Sequence, residues 1–282
     1  MHALPTLPDW PALIAFCALF AAMAAQWLAP GQRGRLIGAL LSLPILLTGA
    51  GSLFDTQAIL PLASAAALLA LQLWRPSRLY LIALVAWSIA AALHLWPGFT
   101  PLQWSTEFGR HGQPLNWRID KGIAGLLLVM AWRRSDAPAA PRPRYALLLL
   151  PCGVLLIGLL AMALGLARPD PRWLPLLPVW LLGNLFLTVV AEEVLFRGLL
   201  QGGLTLALSR HQPKARLLAL LLSALLFGLV HVHWGWRFAL LATLAGGLYG
   251  WFAGNPPRLG RAITAHWLTN AMLLICMDSP LG

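Results

Sequence analysis

Long uninterrupted apolar runs dominate this chain and leave few folds open to it. They lie near residues 10–29, 36–53, 57–74, 79–97, 122–132, 145–166, 174–208, 215–233, 238–253 and 262–277. A helix that spans a bilayer needs about 20 apolar residues, so most of these runs are long enough to be spans. The run at 122–132 is too short and is expected to borrow "LNWRIDK" as a partly buried start. The run at 174–208 is too long for one upright span. It predicts a tilted helix, or a span followed by an interfacial or re-entrant helix. Only 10% of residues are charged, 59% are hydrophobic and the mean hydropathy is +0.74. A soluble domain carries about 25% charged residues and cannot hide this much apolar surface. The expectation is an all-α polytopic membrane protein with about 8–10 transmembrane helices.

The basic residues orient it. Arg33 and Arg35, Arg75 and Arg78, Arg133, Arg134, Arg142 and Arg144, Arg210, Lys214 and Arg216, and Arg258 and Arg261 fall in alternate loops. The other loops are poorer in them. The positive-inside bias therefore puts both termini outside and the richer loops in the cytoplasm, with 174–208 counted as one topological unit. Helical spans rather than barrel strands suggest a bacterial inner membrane. The net charge of +11 then reflects orientation and contact with an anionic lipid bilayer, and nucleic acid is not expected as a partner. The first run follows "MHALPTLPD", which lacks Lys and Arg, and is expected to be a retained helix. Cys17, Cys152 and Cys276 are far apart in apolar runs and form neither a disulfide framework nor a zinc spacing. The Pro/Ala/Arg stretch "RRSDAPAAPRPR", 133–144, predicts a linker between an N-terminal helical part, 1–135, of unassigned role and a second part, 136–282, that holds most of the unusual polar residues.

Of the nine acids, only Glu192 and Glu193 lie inside an apolar run. A charge at the centre of a membrane helix costs roughly 2.5–3.5 kcal/mol on insertion scales, so these are functional candidates. Glu193 and Arg197 are four residues apart and share a helix face, which suits an ion pair; Glu192 points about 100° away and stays available. A structural charge cluster is the alternative. In "FGLVHVHWGW", 227–236, Phe227 lies four residues before His231 and can pack on its ring. In "AITAHWLTNAM", His266 and Asn270 are four apart, and both can donate hydrogen bonds to a developing oxyanion or simply clasp neighbouring helices. Gly246, Gly250 and Gly254 offer a smooth face on which helices can converge. A carboxylate, an acid–arginine pair, two histidines and an amide form a set that hydrolytic acyl transfer can use, with water as the nucleophile.

"EEVLFR", "FGLVH" and "HWLTN" fit the patterns EExxxR, FxxxH and HxxxN. In that order they resemble the CPBP family (CAAX protease and bacteriocin-processing, or Abi) of intramembrane proteases, relatives of the type II CAAX prenyl endopeptidase. The resemblance covers roughly 175–275. It implies a glutamic-type endopeptidase in which Glu192 is the general base, His231 helps hold the attacking water, His266 and Asn270 form the oxyanion hole, and Glu193, Arg197 and Phe227 support them. The substrate would be a membrane protein or a lipid-anchored peptide. A metallo-type enzyme is the less favoured version, with zinc held by Glu192, His231 and His266, a His₂Glu set. The rival reading is a non-catalytic scaffold or immunity protein, or a transporter that uses the buried carboxylate. The alternating topology also places His231 and His266 near opposite ends of their helices.

Overall fold

The computed structural model describes residues 9–29, 31–109, 111–132, 149–209, 213–254 and 257–278. The linker at 133–144, and with it Arg133, Arg134, Asp136, Arg142 and Arg144, lies outside the described residues, as do Arg110 and Arg210. Among the described residues ten helices form: α1 Trp10–Leu28, α2 Gln32–Gly49, α3 Ile59–Trp74, α4 Arg78–Ala92, α5 Ile119–Ala131, α6 Leu149–Ala163, α7 Leu177–Leu208, α8 Ala215–Leu229, α9 Trp236–Ala253 and α10 Leu259–Cys276. The protein is an all-α polytopic membrane protein. Trp10–Leu28, Thr56–Trp74 and Leu177–Leu208 are long and apolar enough to cross a bilayer, and Arg78–Ala92, Leu149–Ala163 and Ala215–Leu229 are shorter apolar helices.

The chain divides into two compact units. The first comprises 1–107, 114–133 and 182–191; the second comprises 108–113, 134–181 and 192–282.

In the first unit α5 is the central helix. Every residue from Ile119 to Ala131 except Lys121 is buried, as expected of a helix apolar on all sides. Gly122 and Gly125 make the fit: a Cβ at Gly122 would come 2.8 Å from a Leu187 methyl, and one at Gly125 would come 3.0 Å from the Met23 methyl. The short run borrows less than expected, because "LNW" belongs to a β-hairpin instead. Its strands are β1, Leu102–Phe108, and β2, Gln113–Trp117. Trp117 anchors the hairpin's end against Phe16, Phe20 and Trp104 with ring centroids 4.9–5.2 Å apart. The fourth helix stops at Ala92. Asp120, just inside α5, is buried and accepts from His94 Nδ1 at 2.9 Å, Arg118 Nη2 at 3.4 Å and the Lys121 backbone N–H at 2.9 Å.

The second unit packs α6, α8, α9 and α10 with the part of α7 that follows Ala191. Its core joins Ile157, Phe196, Phe227, Tyr249, Phe252 and Leu273. A short antiparallel pairing, Arg168–Pro169 with Met277–Asp278, closes its end. The α8–α9 approach is set by Gly228, where a Cβ would collide with the Thr243 side chain and come 2.6 Å from the Ala239 carbonyl oxygen. Gly246 and Gly250 are packed on α9 as the four-residue spacing suggests. Gly254 differs: it ends the helix with φ +74°, a conformation glycine adopts without a Cβ penalty.

The long run is one helix. It is not uniformly α: Asn184–Val189 and Val194–Gln201 are π-helical, with the single α-turn Val190–Glu193 between them. Wide turns of this kind are rare and cluster at functional sites. The two acids stand on the α-turn they bracket.

Candidate active site

Glu193 and Arg197 are both fully buried, and Arg197 Nε lies 3.2 Å from Glu193 Oε2. The approach is a charge contact rather than an aligned hydrogen bond. Arg197 Nη2 donates to the Gly246 carbonyl at 3.1 Å, and its guanidinium carbon lies 4.5 Å from the Phe227 ring centre, 5.5 Å from Tyr249 and 5.8 Å from Phe196. Three ring faces within about 6 Å give a desolvated cation the attraction that water would otherwise supply. Two more bonds continue the seam along α7: Gln201 Nε2 donates to Gly250 O and Ser223 Oγ to Phe196 O.

The other oxygen of Glu193 accepts from His266 Nδ1 at 2.8 Å. A carboxylate only accepts, so Nδ1 carries the proton and Nε2 is the free edge of the ring. That edge faces Glu192, whose Oε2 is 3.9 Å away, within charge range and beyond a hydrogen bond. The Glu192 side chain keeps 25% of its surface exposed whereas Glu193 keeps none. Adjacent residues of one type thus have different environments because the helix turns them to different faces.

His231 follows the end of α8. Its Nδ1 donates to the Phe227 carbonyl at 2.7 Å, which leaves Nε2 as acceptor in the neutral ring. The Phe227 ring packs on it at 4.8 Å, as the four-residue spacing suggests, and also meets His266 edge to face at 5.6 Å and 89°. Both histidines therefore touch one aromatic ring, contrary to the placement at opposite helix ends. The reason is length. The run at 215–233 yields a helix of only 15 residues, which rises about 22 Å. Its C-terminal end reaches the level of His266, the eighth residue of the 18-residue α10. Gly235, with φ +97°, then turns the chain into α9. Asn270 lies one turn beyond His266 on α10 and is half-buried.

The sequence stretch that contains these residues, 173–272, matches the family described as Type II CAAX prenyl endopeptidase Rce1-like. This segment belongs to the CAAX-protease family. The CAAX-protease segment takes in Glu192, Glu193, Arg197, Phe227, His231, His266 and Asn270, and covers about a third of the chain. No curated protein and no solved structure matches the chain.

Two features of the CAAX-protease segment were not legible beforehand. Tyr249, almost wholly buried, stacks on His266 with centroids 4.6 Å apart and planes at 14°. No pattern sets it apart from other aromatics of an apolar helix. The second is the Glu193–His266 bond, which joins residues 73 apart. Among the described residues no three His, Cys, Asp or Glu side chains are close enough together to hold one metal ion, so Glu192, His231 and His266 do not converge as a zinc set here.

Proposed function

We propose that the protein is an intramembrane endopeptidase that hydrolyses a peptide bond of a membrane-embedded or membrane-adjacent substrate, either a membrane protein or a lipid-anchored peptide, by a glutamate- and histidine-activated water. The observation that carries this reading is the division of the two acids. Glu193 is consumed by Arg197 and His266, while Glu192 is partly open beside the free edge of the same imidazole. A carboxylate kept unpaired in a largely apolar setting is suited to take a proton from water. His231 supports this role because its proton is committed to the Phe227 carbonyl and Nε2 can accept from that water.

In the proposed step the water oxygen bonds to the scissile carbonyl carbon, its proton passes to Glu192 and the carbonyl becomes an oxyanion. Asn270 and His266 are the donors for that oxyanion. With Nδ1 bound to Glu193, Nε2 of His266 donates only in the cationic ring form, which a developing negative charge favours. The proton on Glu192 then leaves with the amine. No step is assigned to a metal. The charge pattern supports an inner-membrane location with both termini outside.

The test is proteolysis by purified protein in detergent, with a library of quenched peptides based on apolar membrane segments. Wild type, Glu192→Ala and His231→Ala are compared, each with and without a chelator. The expected result is cleavage by wild type, lost in both variants and indifferent to chelator. Full cleavage by Glu192→Ala would overturn the proposal. Loss with chelator and recovery with zinc would replace the glutamic version with the metallo one.

A further inference from the structure

We propose that Tyr249 is a positioning residue that fixes the plane of His266 and so aims its Nε2 at the reacting group. The bond from Nδ1 to Glu193 anchors the imidazole at one atom only, and the ring can still swing about that line. Two rings remove this freedom. Tyr249 lies 4.6 Å from it and nearly parallel, at 14°, and Phe227 meets it edge-on at 89°. A face and an edge held at right angles leave one orientation for the imidazole, and with it one direction for Nε2.

Tyr249 is itself held from three sides. The Thr269 side chain hydrogen-bonds its hydroxyl. The Thr269 hydroxyl donates to the Ala265 carbonyl at 2.8 Å, so its lone pairs are free to accept from the phenol. Thr269 is three residues after His266 on α10, so the phenol is tied to the helix that carries the histidine. The same ring lies 5.5 Å from the Arg197 guanidinium and 6.3 Å from Phe227. Tyr249 is thus in contact with the Arg197–Glu193–His266 series at both its ends, which a residue that merely fills volume would not need.

The kinetic part of the test rests on the peptidase reading; the spectroscopic part does not. The variants are Tyr249→Phe, which keeps the ring, and Tyr249→Met, which keeps the volume and removes the flat face. If Tyr249→Met does not fold, Tyr249→Leu takes its place. Full-length protein with ¹⁵N-labelled histidine is studied in micelles, with His266 assigned by the signals lost in His266→Gln. In wild type and Tyr249→Phe, neutral His266 is expected to show one fixed tautomer with the proton on Nδ1. In Tyr249→Met its two nitrogen shifts are expected to move toward an average and its titration curve to change. With a cleaved peptide in hand, Tyr249→Met lowers kcat about 10- to 100-fold with little change in KM, and Tyr249→Phe stays within about threefold of wild type. Unchanged His266 signals in Tyr249→Met overturn the proposal, and so does a Tyr249→Phe that behaves like Tyr249→Met. Absence of cleavage by wild type would refute the peptidase reading and leave the spectroscopic result to decide the role of Tyr249.

Discussion

His266 gives its Nδ1 proton to Glu193 and not to Glu192, at 2.8 Å against the 3.9 Å that separates Nε2 from Glu192. One imidazole therefore reads two neighbouring acids differently, and their substitutions should separate. Glu193→Gln leaves Arg197 as an unpaired charge with no exposed surface, which costs about 3–5 kcal/mol when a buried pair is broken on one side. Thermal unfolding in detergent should show a large drop. Glu192→Gln should unfold close to wild type while peptide cleavage falls about 100-fold or more. Equal losses of stability in the two variants would contradict the division.

Metal removal should be silent. Wild-type cleavage is expected to survive a strong zinc chelator unchanged, while His231→Gln loses about 100-fold because no acceptor then faces the water. Cleavage rates before and after chelation, with zinc added back, check this.

Gly228→Ala should damage a site it does not touch. The new methyl would meet the Thr243 side chain and the Ala239 carbonyl oxygen, forcing α8 and α9 apart one residue from Phe227. Overpacking of this kind costs about 1–3 kcal/mol. The measurable signs are a lower unfolding temperature and a reduced kcat, with Gly247→Ala, where a Cβ meets nothing within 4 Å, as the control.

At the end of α4, His94 is the one non-glycine with positive φ among the described residues, at +58°. Leu95 N–H reaches back to Ala90 O and His94 N–H to Ala91 O, the pairing in which a helix end ordinarily uses glycine. Its bond to the buried Asp120 offsets that strain. His94→Ala keeps the strain and loses the bond, and should be less stable than His94→Gly by about 1 kcal/mol. Asp120→Ala strands the donors of His94 and Arg118 and should cost roughly 1–3 kcal/mol. Unfolding curves of the three variants rank them.

What the sequence made legible was local. Spacings of four placed Arg197 on Glu193 and Phe227 on His231, because a helix brings residues three and four apart together whatever surrounds it. Hydropathy located the helices for the same reason. What it hid was set by other segments: the Glu193–His266 bond, the stack of Tyr249 on His266 and the collision that keeps residue 228 a glycine all depend on which helix lies alongside. The hairpin at 102–117 was missed because its residues are too polar for a span and too few for a sheet, and it is anchored by Trp117 packing on α1. His231 was misplaced by counting apolar residues, which continue past the point where the helix ends.

The π-helical stretch Val194–Gln201 acts as a phase adjuster. Upstream of it the helix must present Glu192 and Glu193; downstream it must deliver Gln201 to the Gly250 carbonyl. Ordinary turns of 3.6 residues relax such a stretch when one residue is removed, swinging everything beyond it by about 100°. A single deletion within 194–201 would then leave the acids in place and turn the Gln201 face away from α9. The chain tolerates length changes here poorly for a reason of angle and not of volume, so the spacing between the acids and Gln201 is itself part of what the site encodes.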